Sequence, residues 1–327
     1  MDRSELHRSR IVAGPASVGL VGFGRWGKVI AQSIEHHQFF HLAAIATRIA
    51  DGELVGSRSA KIYTSASQML KGENLHGIII ANSPQEHFGV ALIAINMGLP
   101  TWIEKPLTLN LEESNILLEA GRRLHARVLV DHIFVHSPAW KLFKQASSNL
   151  GRVLRIETWG GGPLPIRDTV SPLWDWGPHD VALVLDLLQM TPKRVEATVV
   201  GNIGYNQRYN IRLDLQFSGD VKTTSLFGTA FPKNTRRISV LQERGIIHLD
   251  DFDRGTIKIY HNDTAKCKSR EDIPIPRQLR PLDAALSKFH AIISSQREAI
   301  SDLLLGNQVV QVLALAELHY AYNNGDQ

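Results

Sequence analysis

The sequence predicts an α/β protein in two parts: a doubly wound parallel sheet over residues 1–132, then an α+β domain with a largely antiparallel open sheet over 133–327. Three observations predict it. A short apolar run, Val18–Val21, passes through a cluster of glycines into a helical pattern. Up to about residue 130, strand-like runs alternate with helix-like ones, as in βαβ units. From Arg194 onward the apolar period changes to two, the period of half-buried strands.

The glycine cluster has the order Gly22-x-Gly24-x-x-Gly27, and Lys28–Ala31 opens the following helix. Gly22 permits a tight turn, Gly24 lets backbone approach a phosphate, and Gly27 lets helix and strand pack. The helix N-terminus aims its positive end at the phosphate charge. Strand, glycines and helix in this order predict a dinucleotide site, with Phe23, Arg25 and Trp26 filling the loop as further cofactor contacts. The first helix buries Val29, Ile30 and Ile34 and ends near His36. Leu42–Ala46 is the second strand. The ribose-reading position at its end is Thr47, followed by Arg48. A carboxylate there would accept the two ribose hydroxyls and repel a 2′-phosphate. Thr47 cannot repel it and Arg48 can pair with it, which leans the NAD(P) choice toward NADP.

Lys61–Tyr63 reads as a short strand and Ser65–Leu70 as a short helix. Gly77–Ala81 is continuously apolar, as in a strand buried on both faces. It stops at the turn Asn82-Ser83-Pro84. A helix then runs from about Glu86 to Met97, with Gly98 as its left-handed cap. The strand Thr101–Ile103 leads into Glu104-Lys105-Pro106, at the carboxyl end of a parallel strand, where open α/β sheets place their ligands. Lys105 is either a lysine poised for proton chemistry or a solvated loop lysine. Asn110 caps a helix reaching His125, and Arg127–Val130 is a further strand.

In the second half, Ser137-Pro138 opens a helix to about Asn149, and Arg152–Trp159 is a strand before the irregular Gly160–Asp168. Asp175 and His179 are four apart at the start of an apolar helix ending at Leu188. Either the carboxylate orients the imidazole as a general base, or Asp175 caps the helix and His179 is a satisfied helix histidine. Six strands follow: Val195–Val200, Asn210–Phe217, Val221–Phe227, Arg237–Gln242, Gly245–Leu249 and Thr256–Tyr260. They read as an antiparallel meander with turns at Ser218–Asp220 and Glu243–Gly245. Apolar residues at Leu213, Leu215 and Phe217 read as lying on both faces, so a partner subunit is expected on one of them, in a homodimer or homotetramer. Helices at Leu282–Ser295 and Gln308–Asn323 close the chain.

Composition narrows the function. With 43% hydrophobic and 21% charged residues the chain is ordinary for a globular protein. A net charge of +4 with no dense Lys/Arg stripe speaks against nucleic acid. No apolar run nears the ~20 residues that span a bilayer, so no membrane partner is expected. Met1–Arg10 reads as a disordered leader and not a signal peptide. The single cysteine, Cys267, excludes a disulfide within the chain and a four-cysteine zinc site, and fits a cytoplasmic protein. The 14 histidines show no metal-ligand spacing, so no metal is expected.

Four stretches together resemble one family: the glycine turn, the run Ile78–His87, Glu104-Lys105-Pro106, and Asp175–Asp180. In order and spacing the chain is similar to the Gfo/Idh/MocA oxidoreductases, the glucose-fructose oxidoreductase and inositol dehydrogenase group with a Rossmann domain. The wording of Asp175–Asp180 and Asp131–Pro138 is most like members that act on sugars and nucleotide-linked sugars. The resemblance implies an NAD(P)-dependent oxidoreductase acting on a CH–OH group of a small sugar-like substrate. It implies that Lys105 contacts the reacting hydroxyl and the nicotinamide ribose, with a cis bond to Pro106. His179 would be the acid/base, with Asp175 orienting it or binding substrate. Asn82, Ser83, Pro84 and His87 would line the cofactor cleft, with Glu104 beside the nicotinamide. His136 and the Arg167-Asp168 segment are further candidate substrate contacts. Two other readings compete: a non-catalytic NAD(P)-sensing regulator on the same fold, and a sugar–sugar oxidoreductase that keeps its cofactor tightly bound. Lys105, His179 and Asp175 are groups that a sensor does not need.

Overall fold

The structure, a computed structural model, describes residues 14–48, 60–163, 170–203, 208–252, 255–262, 269–276, 280–295 and 297–324. Met1–Arg10, Arg167, Asp168 and Cys267 lie outside the described residues. The chain divides into two compact units, the described residues of Met1–Asp131 with Leu282–Asn307, and those of His132–Pro281 with Gln308–Gln327.

The first unit is built on a six-stranded sheet in which every pairing is parallel. Its strands are β1 (Ala16–Val21), β2 (Phe40–Ala46), β3 (Lys61–Tyr63), β4 (Gly77–Ile80), β5 (Thr101–Glu104) and β6 (Val128–Asp131). Their spatial order is β3-β2-β1-β4-β5-β6. The strand order reverses between β1 and β4, which opens a crevice at their carboxyl ends. Helices Arg25–Glu35, Ala66–Gly72, His87–Asn96 and Leu111–Arg123 make the crossovers. Two of them start at a capping side chain. Ser65 accepts from the Gln68 N–H, and Asn110 accepts from the Glu112 and Glu113 N–H groups. Gly98 ends its helix at φ +69°. In the first helix Ile30 and Ile34 are buried as expected, but Val29 is exposed, and Ala31 and Ser33 complete the inner stripe. The segment after Leu282 is sequence-distant yet joins this sheet. Phe289 packs edge-on to Trp102 at 5.6 Å and stacks near Phe40 at 6.3 Å.

The second unit carries an eight-stranded sheet in the order β14-β13-β12-β11-β7-β10-β9-β8. Here β7 is Val153–Gly161, β8 Arg194–Ile203, β9 Arg208–Gln216 and β10 Lys222–Gly228. The remaining strands are β11 (Thr235–Gln242), β12 (Gly245–Asp250), β13 (Thr256–His261) and β14 (Arg270–Pro274). It is largely antiparallel but not a simple meander. Strand β7 inserts between β10 and β11 and runs parallel to β10. Leu213, Leu215 and Phe217 do not face both ways; two residues apart, they share one face, and all three are buried. Against this sheet lies the helix Gly177–Leu188, whose run Val181–Leu185 is entirely buried. Among the described residues no helix is long and apolar enough to cross a membrane.

Candidate functional site

In the first unit the glycine turn hangs on two close approaches. Gly22 sits at φ +94°, and a Cβ there would lie 2.5 Å from the Ala81 oxygen and the Asn82 nitrogen. A Cβ on Gly27 would overlap the Gly22 carbonyl oxygen. Gly24 differs: its backbone is extended, and a Cβ there would meet nothing within 4 Å. Gly24 is also the N-cap of the helix Arg25–Glu35, makes no side-chain cap bond, and is followed by no acidic residue in the first turn. The space beside the start of that helix is therefore clear at Gly24, and its first turn carries no carboxylate. Those features fit a diphosphate.

Around the same crevice, Thr47 is buried at the end of β2. Arg48 is 79% exposed, and its guanidinium lies 3.1 Å from Glu86. Asn82 donates from Nδ2 to Glu86 at 3.2 Å, while its Oδ1 is buried without a hydrogen-bond partner. Ser83 donates to Gln85, and Pro84 is buried in the short 3-10 turn Pro84–Glu86. His87 is fully buried and reaches two backbone carbonyls, Pro106 through Nδ1 at 2.8 Å and Asn82 through Nε2 at 3.3 Å. It ties together the turns after β4 and β5, and burial pushes its pKa down. The Lys105–Pro106 bond is cis.

Glu104 closes β5 directly opposite Asp131, its cross-strand partner on β6, and both are buried. Trp102 Nε1 donates to Glu104 Oε1 at 3.3 Å, and Trp26 of the glycine loop lies beside the same carboxyl. Burial pushes Glu104 up and Asp131 well above the usual carboxylate range, and the charge of Glu104 adds to the effect on Asp131. Two carboxyls this close in a dry site disfavour a double negative charge. The sequence reading assigned no role to Asp131, because parallel pairing of β5 with β6 is a tertiary fact.

In the second unit, Asp175 ends the helical turn Pro172–Asp175 and His179 lies in the first turn of Gly177–Leu188. Trp176 joins the two in right-handed helical conformation, and the His179 N–H donates to its carbonyl at 3.2 Å. The cap position falls on Trp176 without a side-chain cap bond, so Asp175 is not the N-cap. Phe134 stands edge-on to the His179 imidazole at 5.1 Å. His136 ends the short helical segment Ile133–His136. Next to His179, Asp180 is completely buried and pairs with Arg236 of β11, Oδ2 to Nη1 at 2.6 Å.

Residues 16–132 match the model of the Gfo/Idh/MocA family, described as an oxidoreductase family with an NAD-binding Rossmann fold. Over those residues, about a third of the chain, it is similar to the NAD-binding part of that family. Oxidoreductase P35 of Formosa agariphila is 34% identical over 96 residues, 29% of this chain and 30% of that one, so the match spans less than a third of that relative. UDP-N-acetylglucosamine 3-dehydrogenase of Acidithiobacillus ferrooxidans is 23% identical over 300 residues, 89% of this chain and 93% of its own. A crystal structure of that enzyme superposes with a TM-score of 0.81 at 21% identity, covering 94% of this chain and 98% of that one. A protein from Magnetospirillum magnetotacticum described as an oxidoreductase superposes with a TM-score of 0.82 at 28% identity, covering 92% and 99%.

Proposed function

We propose that this protein transfers hydride between a nicotinamide cofactor and a secondary alcohol or ketone of a sugar, nucleotide-linked sugar or polyol. The observation that carries the reading is the open Gly24 at the uncapped start of the first helix. When bound, the cofactor supplies the hydride acceptor. The loop from Gly22 to Gly27, with Asn82, Ser83, Pro84 and Glu104, holds it, and His87 positions the turns on either side. Thr47 and Arg48 tilt the preference toward NADP. His179 takes the proton of the reacting hydroxyl, with Asp175 orienting its imidazole. Lys105 stabilises the developing alkoxide through a charge-assisted hydrogen bond. His136, Arg167 and Asp168 contact the substrate. That a full-length relative is named for UDP-N-acetylglucosamine supports the nucleotide-sugar class. The functional division falls at residues 132 and 133, the second sheet mediates homo-oligomers, and the protein acts in the cytoplasm.

Tryptophan fluorescence titration with NADH and NADPH tests the cofactor site, followed by turnover assays with UDP-N-acetylglucosamine, uncharged hexoses and inositol. Micromolar binding with turnover of one of these upholds the reading. Binding of neither nucleotide by nucleotide-free protein defeats it.

A further inference from the structure

In the second unit the fork of Arg236 has more hydrogen-bonding capacity than its partners use. Its side chain is 9% exposed and its partner Asp180 is 0% exposed. The bond between them uses one guanidinium nitrogen, Nη1, and one carboxylate oxygen, Oδ2. Nε and Nη2 make no hydrogen bond among the described residues, and Asp180 Oδ1 is buried without one. Room for the pair is cut into the sheet. Gly160 of β7 is the cross-strand partner of Arg236, and a Cβ there would overlap Nη1 and lie 2.6 Å from Asp180 Oδ2. Aromatic rings complete the walls. The guanidinium carbon lies 4.8 Å from the centre of the Phe134 ring and 5.9 Å from that of Trp176, and Phe134 also meets His179 and Phe252 at 5.1 and 5.0 Å.

Only Asp180 Oδ1 of the pair is buried without a partner, so Nε and Nη2 reach solvent and can be met by a ligand that replaces water there. The chemistry of the filler follows from the charge. Asp180 already neutralises the guanidinium, so the remaining N–H donors are offered without net positive charge. A carboxylate or phosphate there would crowd a second negative charge against Asp180. Neutral hydroxyl oxygens would not.

We propose that Arg236, held by Asp180 and walled by Phe134 and Trp176, is a subsite for the hydroxyls of an uncharged sugar ring, selecting neutral sugars over uronates. This rests on the sugar-oxidoreductase reading and adds the substrate's charge class to it.

The test is to soak crystals of the full-length protein in turn with methyl glucoside, methyl N-acetylglucosaminide and methyl glucuronide. The neutral glycosides are expected with hydroxyls on Nε and Nη2 of Arg236, and the glucuronide carboxylate is not. No sugar at the fork, or the glucuronide carboxylate seated on it, overturns the proposal. In solution, calorimetry should give Arg236→Gln an affinity for the bound glycoside at least about tenfold weaker. Because that variant strands Asp180, the double variant Arg236→Gln with Asp180→Asn is measured beside it, and wild-type affinity in a folded double variant overturns the proposal as well. A parallel NADH titration separates the two readings. Nucleotide bound with no sugar at the fork removes the subsite alone, and no nucleotide bound removes the oxidoreductase assignment whatever the soaks give.

Discussion

Gly24 and Gly22 lie two residues apart, and alanine should do opposite things at them. At Gly24 the backbone is already extended, at φ −71° and ψ −169°, and an added methyl would meet no atom within 4 Å. The protein alone has no reason to object, so Gly24→Ala should change stability by no more than about 0.5 kcal/mol. Any change within that limit should be a gain, because alanine also reduces the freedom of the unfolded chain. The same methyl occupies the space over the uncapped helix start, so affinity for NADH and NADPH should fall at least about tenfold, equivalent to about 1.4 kcal/mol. At Gly22 the substitution forces a side chain into φ +94° and within 2.5 Å of Ala81 and Asn82 backbone. Left-handed strain and overpacking together should cost about 2–4 kcal/mol. The assays are a thermal melt without nucleotide and a tryptophan fluorescence titration with each. Gly24→Ala binding nucleotide like wild type would refute the reasoning, since nothing but a ligand makes that position intolerant.

Three further outcomes are expected. Lys105→Ala and His179→Ala should each lower turnover at least ~100-fold while leaving nucleotide affinity nearly intact; unchanged turnover in both ends the catalytic assignment. Arg48→Ala should weaken NADPH about tenfold and NADH hardly at all. Its ion pair with Glu86 is so exposed that the melting temperature should not move. The Glu104–Asp131 pair should make stability pH-dependent. Both carboxyls are raised in the fold, so folding retains protons that the unfolded chain releases. Stability from this source is greatest on the acid side of the ordinary carboxylate range and declines as pH climbs toward the folded-state values. Asp131→Asn should therefore gain on wild type as pH rises above the ordinary carboxylate range in paired melts; parallel curves would count against a buried proton-sharing pair.

What the sequence determined by itself was mostly what neighbours along the chain decide. The turn from β1 into the first helix, the Ser65 and Asn110 caps, the left-handed Gly98 and the continuously buried β4 are each set by residues within a few positions. Backbone sterics and capping bonds act over that range, so their signals are written locally. The tertiary structure decided what pairs across distance. Period-two alternation in β7 cannot say that the strand inserts between β10 and β11 and runs parallel to β10. It is likewise silent on Phe289 returning to the sheet that holds Trp102. Strand Arg270–Pro274 went unread because its polar edge sequence shows no apolar period. Asp131 became half of an acid pair through the register of β5 on β6, and Arg236 met Asp180 across 56 positions. Burial and charge pairing depend on which surfaces the folded chain brings together, and no local pattern records that choice.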